Sequence, residues 1–206
     1  MNLKKASLLL IIGLVYTVFY KAIIGFIPFA ANNIFLKNIL SVLLLISALS
    51  IILFIFYFYK EVTPLNPKVK ITLQLIFFCT CILIILKLPI ELQPQNRIIR
   101  NSIFEIARIL NSFSILMFFI FSNKIITIKF IRQPIKLAIL GFSISLILNL
   151  ISLGYYLNFI LTGNEGVPFL PFRFLAMIIF LFTYYVVIDF LIKFRRVDDY
   201  SKILGG

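Results

Sequence analysis

Long apolar stretches with few charges alternate along the chain with short segments that hold most of the charge. The apolar stretches cover about 6–29, 39–59, 71–90, 103–122, 137–161 and 169–192. About 20 helical residues span the hydrocarbon core of a bilayer, so each stretch has the length of one crossing. A segment surrounded by hydrocarbon must satisfy its own backbone hydrogen bonds, which a single segment does as a helix. The pattern therefore predicts an all-α fold: a polytopic integral membrane bundle of about six transmembrane helices. It forms one domain over residues 1–206, without a separate water-soluble unit.

The connecting segments carry their own signals. Lys4 and Lys5 precede the first stretch, as in a signal peptide, but the stretch is too long for one. A cut after Ala30 or Ala31 would also leave Pro28 or Phe29 where a small residue is needed, so an uncleaved first helix is expected. Gly25 and Pro28 weaken its far end, where Lys21 would reach towards water. The second stretch closes on Tyr57, Phe58, Tyr59 and Lys60, an aromatic and cationic anchor of the kind found at membrane interfaces. The segment from Glu61 to Pro67 then turns the chain, and the one from Thr162 to Pro168 stops a helix with two glycines and a proline.

Composition strengthens this picture. The chain is 62% apolar and 13% charged, against roughly half and a quarter for soluble domains. Phenylalanine is abundant while tryptophan and histidine are absent, a bias that an AT-rich genome would produce, so no function is attached to it.

The formal net charge of +13 raises the question of a nucleic-acid partner. The basic residues sit in short loops between apolar stretches, however, which is how topology signals are distributed, and no nucleic acid is expected. With the amino terminus inside, 13 of the 20 lysines and arginines fall on the inner side. Cytoplasmic loops carry such an excess, which orients both termini into the cytoplasm; Arg97 and Arg100 run against it locally. The expected location is a bacterial cytoplasmic (inner) membrane, with the lipid bilayer as first partner.

Catalytic and cofactor signatures are sparse. Without histidine there is no His-based acid, base or metal ligand, and the glycines form neither a P-loop nor a dinucleotide fingerprint. Cys79 and Cys81 lie two apart, on nearly opposite faces of a helix, so they neither bridge nor share a metal. Glu105 and Asp189 stand at opposite ends of their spans, so no paired-carboxylate site is expected. No signature supports catalysis, the leading reading is non-enzymatic, and no cofactor is expected.

Three polar groups stand out against the apolar background. Glu105 and Arg108, at i and i+3, share a helix face with Asn101, Asn111 and Ser112. Charges at that depth either mark a functional site or neutralise one another near the interface. Gly141, Ser145, Asn149 and Ser152 form a stripe of small residues suited to helix packing, with Asn149 near mid-membrane and in need of a partner. At the outer ends Arg97, Arg100, Arg108 and Arg173 gather with Tyr155, Tyr156 and Asn158, a set able to wall a pocket for an organic anion or lipid headgroup. Glu91, Glu105 and Glu165 on the same side are rival partners for those arginines. Asp189 and Lys193 at the inner edge read as ordinary interface electrostatics.

The leading expectation is a membrane subunit that binds a small or lipid-like, anionic ligand as part of a transport system. The candidate binding residues are Arg108, Glu105, Arg173, Arg100, Arg97, Tyr155, Tyr156 and Asn149. A sensor or anchoring module for a membrane or cytoplasmic protein partner is the first alternative, and an intramembrane enzyme using Glu105 and Arg108 the second. In size and topology alone the chain resembles the membrane-embedded substrate-binding subunits of some vitamin uptake systems, a likeness that carries no function by itself.

Overall fold

The structure, a computed structural model, describes residues 2–26, 34–62, 66–86, 97–126, 128–162 and 170–197. Six helices account for nearly all of them: α1 (Leu3–Phe26), α2 (Ile34–Glu61), α3 (Pro67–Ile85), α4 (Arg97–Ile125), α5 (Lys129–Thr162) and α6 (Leu170–Phe194). Among the described residues five stretches are long and apolar enough to cross a membrane: Leu3–Tyr20, Pro67–Ile85, Asn101–Ile125, Lys129–Thr162 and Phe174–Phe194. The uncharged stretch 39–59 lies within α2.

Most helices outrun their apolar stretches because the helix does not stop where the hydrocarbon does. The 34 residues of α5 measure about 51 Å at 1.5 Å per residue, and its first turns carry the exposed Lys129, Arg132 and Lys136. α1 stays helical through Lys21 and Gly25 to Phe26, and Pro28 lies outside the described residues. The segments 63–65 and 163–168, where the sequence predicts turns, also lie outside them.

Local chemistry fixes several ends. Asn66 caps α3: its Oδ1 accepts from the Lys68 N–H at 3.0 Å, and Pro67 follows where no N–H is needed. Asn2 Oδ1 accepts from the Lys5 N–H at 3.0 Å, while Glu61 Oε1, from the end of α2, accepts from the Leu3 N–H at 2.8 Å. A carboxylate at a helix N-terminus both pairs a free N–H and complements the helix dipole.

Each helix packs on its neighbour in sequence, and α6 returns to α1. One buried cluster joins Leu3 and Leu10 of α1, Phe54 and Phe58 of α2, and Val69 and Leu73 of α3. The same cluster takes in Phe118 and Phe119 of α4, Ile131 and Ile135 of α5, and Phe190 and Phe194 of α6. These come from the start of α1, the end of α2, the start of α3 and so on around the bundle. The helices therefore alternate in direction, and the start of α1 and the end of α6 share one end.

Where the start of α1 meets the end of α6, aromatic rings fill the space between helices, both adjacent and across the bundle. Phe58 of α2 stacks on Phe194 of α6 at 5.9 Å and meets Phe118 of α4 edge-on at 6.0 Å. Phe119 stacks on Phe142 of α5 at 5.8 Å and meets Phe190 edge-on at 5.3 Å. In the middle the hydroxylic side chains Thr17, Ser47, Ser50, Ser114 and Thr183 are buried beside Leu14, Ile76 and Val186, and Gly13 and Gly141 lie against Ser50 and Thr183. Further from that end, among the described residues, Cys79, Thr80 and Ala107 are buried.

The outside is apolar to an extent that water would not support. Phe78 is 63% exposed and Tyr185 70%, and similar side chains recur on every helix. Soluble monomers rarely expose contiguous apolar patches above a few hundred Å². The surface is suited to lipid.

Candidate functional site

On α4, Ile99, Ile103, Ile106, Leu110 and Phe113 recur every three or four residues and are exposed, which defines the outward face. Glu105, Arg108 and Ser112 lie on the flank that meets α5. Arg108 Nη2 is 2.6 Å from Glu105 Oε2, with the side chains 34% and 17% exposed respectively. One turn on, Asn149 of α5 donates through its side-chain amide to Ser112 Oγ at 3.1 Å. Two further turns along the same flank Phe119 meets Phe142 of α5. A single helix face is thus polar in the far half and aromatic in the half that bears the termini.

The polar half contains groups whose hydrogen-bonding capacity is unused. Among the described residues, Arg108 Nε and Asn111 Oδ1 are buried without a hydrogen-bond partner. Glu105 Oε2 is close to the guanidinium, yet the contact lacks the direction of a hydrogen bond. Thr80 Oγ1 of α3, the other neighbour of α4, is likewise buried and unpaired among them. An unmet buried polar group costs roughly 1–3 kcal/mol, more when charged, so each of these atoms favours a partner; among the described residues Ser122 Oγ, Asn123 Oδ1 and Arg195 Nε are buried and unpaired towards the other end as well.

The expected site residues divide three ways. Glu105, Arg108 and Asn149 are brought onto one interhelical seam. Tyr156, seven residues beyond Asn149, is half-buried and belongs to the same face by helical period, at the depth of Glu105 in the antiparallel register. Tyr155 lines a separate shallow cavity of about 360 Å³ with Ile151, Gly154 and Asn158. The side chains of Arg97, Arg100 and Arg173 lie outside the described residues.

The small-residue stripe on α5 splits between two neighbours. A Cβ at Gly141 would come within 2.7 Å of Thr183 Oγ1 on α6, whereas Asn149 reaches α4. The eight-residue step between them drifts about 80° around the helix at 100° per residue. Asp189 and Lys193 pair at 2.7 Å at the other end of the bundle. Cys79 and Cys81 are free thiols, Cys79 buried. Among the described residues no group of three or more metal-binding side chains converges.

No family model matches the chain, and neither a curated protein nor a solved structure is detectably similar to it.

Proposed function

We propose that the chain is a six-span protein of a bacterial inner membrane, with both termini cytoplasmic, that binds a small or lipid-like anion between α4 and α5 without transforming it. The observation that carries this reading is the Arg108 guanidinium, half-buried beside Glu105 with its Nε unpaired and an unpaired Asn111 Oδ1 one turn away, among the described residues. Glu105 balances the charge of the guanidinium and holds it in place. An arriving carboxylate or phosphate accepts from Nε and the free guanidinium hydrogens in the fork geometry arginine provides, while a donor on the same ligand meets Asn111. The partial exposure of both side chains supports access to the pair, and the aromatic packing of Phe119 on Phe142 closes the same seam further along.

No catalytic step is proposed; among its described residues the seam holds one carboxylate, Glu105, with Tyr156 at the same depth. The proposed setting is a transport system, in which a membrane partner would take over the ligand.

The test is copurification of small molecules from native membrane, read by mass spectrometry, on the unaltered chain and two variants. Arg108→Leu and the double Glu105→Gln/Arg108→Leu both lose the ligand, at a cost of about 2 to 5 kcal/mol. The double variant stays folded, because removing a whole buried ion pair is often neutral or stabilising. Ligand retained by a folded double variant would move the assignment to a protein-anchoring module.

A further inference from the structure

The seam between α2 and α3 opens towards the lipid side as a groove of about 380 Å³. Ile55, Phe56 and Tyr59 of α2 and Gln74 and Phe77 of α3 line it. Its walls are aliphatic and aromatic except for the exposed amide of Gln74 and the Tyr59 hydroxyl. That hydroxyl donates to the Lys70 carbonyl at 2.8 Å and ties the two walls together at one end.

Two cations flank that same end. Lys60 follows Phe56 by four residues and Lys70 precedes Gln74 by four, so each lysine shares a helix face with a wall residue, and both are exposed. Their nearest acidic neighbour in the chain, Glu61, is directed at the Leu3 N–H on α1. Lys68 lies 5.9 Å from the centre of the Phe121 ring on α4. Lys60 and Lys70 are thus left as a cationic rim over an apolar slot, with an amide about 6 Å further along at 1.5 Å per residue.

We infer that this groove is a binding site for one anionic phospholipid, with the phosphate on Lys60 and Lys70, the ester region at Gln74 and an acyl chain between Phe56 and Phe77. The charge selects the headgroup: a zwitterionic lipid would bring its own cation to the two lysines. The amide selects the next tier, because an amide facing hydrocarbon needs a partner and an ester carbonyl supplies one. This site rests on the membrane setting proposed above and is independent of the Arg108 ligand.

The absence of tryptophan from the sequence makes the test direct. Phe77→Trp places a sole tryptophan in the groove, and Tyr185→Trp, in a separate variant, places one on the lipid-exposed side of α6. The full chain is reconstituted in vesicles carrying equal fractions of brominated phosphatidylglycerol or brominated phosphatidylcholine. The groove tryptophan is quenched more strongly by the phosphatidylglycerol, and Lys60→Gln/Lys70→Gln abolishes the preference; juxtamembrane lysines typically contribute about fivefold each. The α6 tryptophan is quenched equally by both lipids. Failure of either lipid to quench the α6 tryptophan would count against the membrane setting itself. Quenching on α6 with no phosphatidylglycerol preference in the groove, or with a preference that survives loss of both lysines, would overturn the groove. Native mass spectrometry of the tryptophan-free chain gives a second reading: retained phosphatidylglycerol falls in the double-lysine variant if the site is correct and is unchanged if it is not.

Discussion

Gly13 of α1 sits where a side chain has no room. A Cβ there would overlap Ser50 Oγ and come within 2.9 Å of the Ser47 backbone on α2. Thr17, one turn on, shares a 2.7 Å hydrogen bond with Ser47. In lipid the hydrophobic effect does not press helices together, so contact through small residues and hydroxyl bonds takes its place. Gly13→Ala is therefore expected to lower stability by about 1 to 3 kcal/mol, the usual cost of overpacking. Gly154 has no atom within 4 Å of the same position, so Gly154→Ala leaves stability unchanged or raises it by up to about 1 kcal/mol through helix propensity. Thermal unfolding of the two variants in one detergent checks the contrast. The need of Asn149 for a partner was legible in the sequence, because an amide at that depth must bond. The Gly13 contact was not, since nothing in α1 says which serines of α2 lie opposite.

At the scale of the helix, α2 shows how a uniformly apolar element still has sides. Phe54 and Phe58 point inward, whereas Phe56, between them, is 61% exposed. Phe58 is fully buried and touches the rings of Phe54, Phe118 and Phe194. Each such ring pair contributes about 0.5 to 1.5 kcal/mol beyond area burial. Phe58→Ala is expected to cost about 3 to 5 kcal/mol, as for other large core truncations. Phe56→Ala is expected to stay within about 0.5 kcal/mol, as for surface changes. Chemical unfolding of both variants in mixed micelles reads the difference. The apolar runs in the sequence located the six described helices, because an apolar run of that length has few other structures open to it. They did not set the helix ends: a charged turn such as Lys129 to Lys136 looks like a loop in a hydropathy pattern and is helical all the same. They also gave no sign of which phenylalanines would meet, because an element apolar on every side has no periodicity to read.

Across the whole molecule, the α4–α5 seam runs from the stacked rings of Phe119 and Phe142 to the polar group of Glu105, Arg108, Ser112 and Asn149. Glu105 and Arg108 stand on this seam partly accessible, 17% and 34% exposed. The sequence marked these two residues by their depth in an apolar stretch, and their pairing by the i, i+3 step. Asn111 was legible on the same face by its spacing, whereas the approach of Asn149 depended on the register between α4 and α5, which a single chain does not display. The central claim is that this seam is wetted from the side opposite the termini. Ser112 lies one turn beyond Arg108 on the same flank, and Ser122, deeper along α4, is 1% exposed. The decisive measurement is labelling of single cysteines at these two positions, with Cys79 and Cys81 replaced by alanine, using a membrane-impermeant thiol reagent on intact cells. Ser112→Cys is expected to react from outside and Ser122→Cys to stay inert. Reaction of Ser112→Cys only after the cytoplasmic face is opened, or no reaction while Asn101→Cys at the helix start labels from outside, would contradict the account.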